Sequence, residues 1–339
     1  MKTSKYIMSE RLRLLSKRGS EFLGVDHPIL GGAMSWLSES RLVSAISNAG
    51  GFGVIACGSL NPSDLEKEIE KTKKLTEHPF GVNLITMHPQ LSDLIDCCIK
   101  QNISHVVLAG SIPSASSIFR LKTAGVKVIG FAPALSLAKR LIKSGLDALV
   151  IEGIEAGGHV GPVSTNVLAQ EILPNINEVP IFVAGGIGRG EAMSFYLEMG
   201  ASGVQMGTRF VCAHECIAHK NFKKAFLKAN SRDAILSTQL DDRFPVIPVR
   251  SLKNKGTKLF LKRQQEVIKD FDNGKKTMPE AQLDIEHFWA GALKKAAIEG
   301  DIDTGSVMAG QSIGLIKKEQ SLSEIINEFI VQADFKYNN

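Results

Sequence analysis

The chain has 339 residues, 44% of them hydrophobic and 22% charged, which is enough to bury a large core in one big domain or a domain with an annex. Its composition excludes collagen and wholesale disorder, and no apolar run is long enough to cross a bilayer. The formal charge of +5 divides into +4 over residues 1–25, −3 over 26–207 and +4 over 208–339, and with only two Trp and three Tyr there is no basic, aromatic stripe to recognise nucleic acid.

In chain order, residues 1–25 read as a basic helix packing on the main body, since Glu10 and Glu21 interrupt what would otherwise resemble a targeting segment. From residue 26, short β-branched runs alternate with amphipathic stretches. The expected strands are 28–30, 52–55, 80–84, 105–108, 126–129, 148–151, 180–183 and 203–206. Ser38 stands at the start of a helix that Gly50-Gly51 ends, and Asn61-Pro62 caps the charged helix that follows. Eight β/α units predict an α/β fold of the TIM (β/α)8 type; an open doubly wound sheet is the alternative, but the first strand meets Gly31-Gly32-Ala33-Met34 rather than GxGxxG.

Glycine supports a boundary near residue 208, because 22 of the 31 glycines lie in 26–207 and seven follow. The remainder reads as helices over 222–229, 258–271, 279–298 and 322–334, with a Pro-pinned loop at 241–248. We therefore expect a barrel over 26–235 and a helical annex over 236–339. The odd number of cysteines, five, gives neither a disulfide framework nor a zinc spacing. Buried thiols in a reducing cytoplasm are expected, and no metal. Asp241-Asp242 reads as a solvated loop rather than a catalytic pair, and no GxSxG elbow points to hydrolysis.

Barrel chemistry sits at the C-terminal strand ends. The sixth predicted strand is followed by EGIEAGGHVG, in which two glycines precede His159 and let the backbone approach a flat ligand. The seventh is followed by AGGIGRG, the eighth by Gln205-Met206-Gly207-Thr208. Glycine-rich turns at these two positions, with a helix N-terminus, make the common barrel phosphate site, so a phosphate-bearing cofactor is expected.

In combination and order, PILGGAMSW, SNAGGFGV, PFGVN, EGIEAGGHVG, VAGGIGRG, VQMGTRFV and EGDIDTGSVMAGQSIGLIKKEQ resemble the FMN-dependent group that contains nitronate monooxygenases and the flavin-dependent enoyl-acyl-carrier-protein reductases II, over about residues 26–339. The resemblance implies FMN bound at the barrel mouth. Gly32, Ala33 and Met34 would lie against the isoalloxazine, Asn83, Glu152 and Gly157 would line it, and Gly185, Gly186, Gln205, Met206, Gly207 and Thr208 would hold the phosphate. His159 would handle a proton or bind a substrate anion.

Two positions depart from the family pattern. Gly31 replaces a frequent Gln, which predicts a lost hydrogen bond near the ring, and Glu152 stands where nitronate oxidisers commonly have Gln. The resemblance implies oxidation of nitronates with O2 to carbonyl compounds and nitrite, or alternatively NAD(P)H-dependent enoyl reduction. The substrate is then a nitronate or an enoyl thioester, with an acyl carrier protein as partner in the second case and a homodimer left open. A non-redox barrel sharing the phosphate loops is the competing class.

Overall fold

The computed structural model describes residues 6–244 and 247–338. Strands β1 (Ile29–Gly31), β2 (Gly53–Ala56), β3 (Phe80–Ile85), β4 (His105–Ala109), β5 (Lys127–Phe131) and β6 (Ala148–Glu152) are followed by a two-residue strand outside the barrel, β7 (Gly158–His159), and then by β8 (Ile181–Ala184) and β9 (Gly203–Met206). All but β7 form one parallel sheet in the order β1-β9-β8-β6-β5-β4-β3-β2. A parallel bridge between Leu30 and Phe52 brings its two edges together, with Gly31 N–H donating to Phe52 O at 2.9 Å. The eight strands are those expected, and this closure excludes the open sheet.

Seven crossover helices clothe the barrel: α2 (Ser40–Asn48), α3 (Pro62–Leu75), α4 (Leu91–Lys100), α5 (Ala115–Thr123), α6 (Leu135–Lys143), α7 (Thr165–Ile172) and α8 (Gly190–Glu198). Asn61 caps α3 as expected, its side chain accepting from Asp64 N–H at 2.9 Å. The start of α2 is capped instead by Glu39, which accepts from the N–H groups of Arg41 and Leu42. The Ser38 hydroxyl braces the turn after β1, accepting from Met34 N–H at 2.9 Å and donating to Gly32 O at 3.1 Å.

The barrel interior is a dry core of Leu30, Phe52, Val54, Val107, Ile129, Val150, Phe182 and Ala184. Its floor is closed by the end of α1 (Glu10–Leu23), from which Phe22 and Leu23 join that core. The Phe22 carbonyl accepts from Lys127 Nζ at 2.7 Å and lies 2.9 Å from His105 Nε2, while the Phe22 ring meets the His105 imidazole edge-on at 5.2 Å.

Beyond β9 come α9 (Lys220–Lys228), β10 (Ala234–Leu236), β11 (Val249–Leu252), α10 (Lys255–Asp272), α11 (Met278–Ala297) and α12 (Leu322–Asp334). Helices α10 and α11 form a hairpin with its own core of Phe244, Val249, Phe260, Val267, Ala281, Ile285 and Trp289. Helix α12 packs instead against α8 and α2 on the barrel wall, where an eighth crossover helix belongs. Strands β10, β11 and β7 form a small antiparallel sheet. In the loop after β10, Asp241 is held by the Arg243 guanidinium, which also reaches Asp272 at 2.9 Å; Pro245 and Val246 lie outside the described residues.

All five cysteines are buried free thiols, with Cys57 and Cys212 pushed up to about 12 by desolvation. Among the described residues no group of His, Cys, Asp and Glu could hold a metal ion, and no helix is long and apolar enough to cross a membrane.

Candidate active site

Directly paired residues on neighbouring strands share a face. Asn83 is in register with Val107, and both Glu152 and Gln205 with Ala184; Val107 and Ala184 belong to the barrel interior. Asn83, Glu152 and Gln205 therefore face inward and form a polar layer on top of an apolar column. Asn83 is buried and donates to Val107 O at 3.1 Å. The Gln205 amide, 9% exposed, and the Glu152 carboxyl have no protein partner among the described residues. Burial pushes Glu152 up to about 7. Met206 faces the other way, into the helix-side core, so only its backbone serves the mouth: its carbonyl accepts from Gly32 N–H at 2.8 Å.

The turn after β1 carries Gly32, Ala33 and Met34. Ala33 packs on the interior column, and a methyl group at Gly207 would meet Met34 Sδ at 3.5 Å. At Gly31 a Cβ would lie 2.6 Å from Ile46 of α2. Position 31 thus points to the helix layer, and in this chain the residue missing there is not one whose Cβ starts toward the mouth.

Glycines are demanded at the ends of β6 and β8. A Cβ on Gly153 would stand 2.1 Å from Thr165 Oγ1, and Gly185 and Gly186 have φ of +94° and +70°, a region that side chains disfavour. Thr165, the first residue of α7, binds these turns together: its hydroxyl lies 2.8 Å from the Glu155 carboxylate and 3.1 Å from Gly185 O, and its N–H donates to Glu155 at 2.9 Å.

The N–H groups of Gly185, Gly186, Gly207 and Thr208 donate to no protein acceptor among the described residues. They project from the ends of β8 and β9, which are neighbours; the first N–H of α8, at Gly190, is already engaged, donating to Gln332 Oε1 at 3.0 Å. Gly185, Gly207 and Thr208 are half-buried and Gly186 is exposed, so all four donors stand open at the mouth, where one anion can accept from several at once. The Thr208 hydroxyl accepts from Gly310 N–H at 2.9 Å and keeps its own proton to donate.

His159 lies at the mouth in β7, exposed, in register with Val249 of β11. Residues 308–310 close over the same loop. Gly157 and Gly310 approach so tightly that a Cβ on Gly157 would be 2.5 Å from Gly310 N, and Gln311 N–H donates to Glu155 O at 2.9 Å. Gly157 is therefore required by the tail segment as well as by its place beside the site. Sequence reasoning did not find Arg250, 5% exposed, whose guanidinium donates to Ile154 O at 2.8 Å and to Ala234 O at 2.5 Å, tying the β6 loop to the small sheet. Nothing in VIPVR marks that arginine as buried.

The arrangement is a glycine-walled, anion-ready strand end beside a polar layer over an apolar barrel. The family model described as nitronate monooxygenase matches residues 16–109 and 93–332. The chain belongs to the nitronate monooxygenase family. Among relatives, a (3aS,4S,5R,7aS)-5-hydroxy-7a-methyl-1-oxo-octahydro-1H-indene-4-carboxyl-CoA dehydrogenase of Rhodococcus jostii is 30% identical, covering 93% of this chain and 94% of its own. A probable nitronate monooxygenase of Staphylococcus aureus is 27% identical over 92% and 96%. The solved structure of FabK from Thermotoga maritima superposes with a TM-score of 0.83 at 35% identity, covering 95% of this chain and 97% of that one. Like other members of the nitronate monooxygenase family, this chain is an oxidoreductase.

Proposed function

We propose that the protein is an FMN-dependent oxidoreductase of nitronate monooxygenase type, oxidising nitronates or nitroalkanes with O2 to carbonyl compounds and nitrite. The observation that carries the cofactor is the set of unengaged N–H groups at Gly185, Gly186, Gly207 and Thr208. These residues fit a phosphate, and the Gln205 amide, Glu152 carboxyl and Asn83 offer polar contacts to a flat ring seated on the apolar column, with Gly32, Ala33 and Met34 along its edge. FMN supplies the redox chemistry when bound.

The chain's own residues do the rest. His159, at the exposed edge of the mouth, holds the anionic nitro group or takes the α-proton of a neutral nitroalkane on its imidazole nitrogen. Glu152 carries a proton for part of the time near neutrality, so that its carboxyl donates to an acceptor above the strand ends. The hairpin of α10 and α11 shapes the substrate pocket.

A second reading is NAD(P)H-dependent reduction of an acyl thioester. It is favoured by the carboxylate at Glu152, by the likeness to FabK, and by the relative named for a CoA ester. There His159 would protonate the carbon next to the thioester carbonyl. Anaerobic mixing of purified protein with a nitronate, NADH or NADPH, followed by flavin absorbance, separates the two. Bleaching by nitronate is expected; bleaching by NADH or NADPH and not by nitronate overturns the first reading in favour of the second. His159→Gln is expected to slow a neutral nitroalkane by about 10²-fold or more and its preformed nitronate by less.

A further inference from the structure

We infer that a basic groove on the flank of the annex sheet binds an adenine nucleotide carrying more than one phosphate, the terminal group of either coenzyme A or NADPH. This deepens the acyl-thioester reading and rests on it. The groove, a cavity of about 450 Å³, lies between the end of α9, the turn before β10 and the end of β11. Lys228, Arg232 and Lys253 converge on it from these three elements, and their side chains have no ion pair or hydrogen bond among the described residues. The one carboxylate in the wall, Asp233, accepts from Asn230 N–H at 2.7 Å. Three cations without partners among the described residues keep an excess of positive charge in a volume suited to one small molecule.

Apolar atoms of Ile235, Leu252 and two alanines of α9 and its C-terminal end also line it. Apolar surface among separated cations suits a base with phosphates on either side of its sugar, whereas a lone phosphate would leave the apolar surface uncovered. Position favours the same ligand. β10 is two strands from β7, which carries His159 opposite Val249, and the groove lies at Leu252, three residues further along β11, so strand spacing and rise put groove and His159 roughly 15 Å apart. A phosphopantetheine arm or a dinucleotide is longer than that, so a ligand anchored in the groove can present its reactive end at the mouth. The anchor contributes binding shared by ground and transition states, and its loss is expected to raise KM and leave kcat unchanged.

The test is titration calorimetry of the full chain with FMN present, using adenosine 3′,5′-bisphosphate, adenosine 2′,5′-bisphosphate and AMP as probes. One bisphosphate is expected to bind about tenfold or more tighter than AMP, since each further charge-assisted contact is worth that factor. Preference for the 3′,5′ isomer identifies coenzyme A as the source, and for the 2′,5′ isomer NADPH. The triple substitution of Lys228, Arg232 and Lys253 by Ala should weaken that probe by about tenfold or more without moving the thermal midpoint, because all three side chains are exposed. Equal affinity for the three probes, or affinity unchanged in the triple variant, overturns the groove assignment. These titrations need no turnover, so a failure of the groove is read separately from a failure of the thioester reading, which the bleaching experiment decides.

Discussion

Among the individual residues, Glu152 makes the sharpest claim. Its carboxyl faces inward above Val150 with no protein donor among the described residues, and desolvation lifts it from 4.5 to about 7. Between those two values the unfolded chain releases a proton that the native protein keeps, so this residue lowers stability as pH rises from 4.5 to 7, and the penalty is complete above 7. Glu152→Gln removes it. In flavin-free protein, the variant is expected to exceed the parent in urea-unfolding free energy by on the order of 1–3 kcal/mol at pH 8, and to match it near pH 4. Parallel pH profiles would show that the carboxyl is solvated or paired. The residues seen in the sequence were those that break a pattern: paired glycines at strand ends, and a histidine behind them. Arg250 and the bracing role of Ser38 were not visible, because each depends on a partner far away or on a backbone turn that only the closed barrel creates.

For the elements, strands and most helices were legible because hydrophobic periodicity records which face each one buries. The ends of α2 show the limit of that signal. Ser and Glu are adjacent candidates for its cap, and the choice is made by the turn after β1, which needs the Ser38 hydroxyl. The termini were harder still. A basic, amphipathic N-terminal helix reads as a surface element, yet α1 ends inside the barrel floor, where Phe22 and Leu23 complete a column that eight strands cannot fill alone. Leu23→Ala should therefore cost about 2–4 kcal/mol, whereas Leu14→Ala on the exposed face of the same helix should stay within about 0.5 kcal/mol. Equal, small effects in thermal or urea unfolding would mean that α1 only decorates the surface. The placement of α12 on α8 and α2 follows from closure too, since the gap beside β1 and β9 must be covered by some helix, and periodicity does not say which.

In the molecule as a whole, the charge division gains a physical meaning. The segment that forms the barrel carries −3, while the positive surplus lies in residues 1–25 and 208–339. On the proposed reading an anionic cofactor would sit where formal charge is unfavourable, and backbone N–H groups at the strand ends would have to supply the attraction. The positive remainder contributes the three cations of the flank groove, away from the strand ends. Family, fold and mouth were readable from ordered motifs, but the groove was not, since Lys228, Arg232 and Lys253 come from three separate segments with no motif among them. The most direct test of the central claim is a fluorescence titration of flavin-free protein with FMN and with riboflavin. FMN is expected to bind about 100-fold tighter or more, with little dependence on salt, because its phosphate engages several backbone donors rather than mobile surface charges. Equal affinity for the two flavins, or binding of neither, would contradict the phosphate seat at Gly185, Gly186, Gly207 and Thr208.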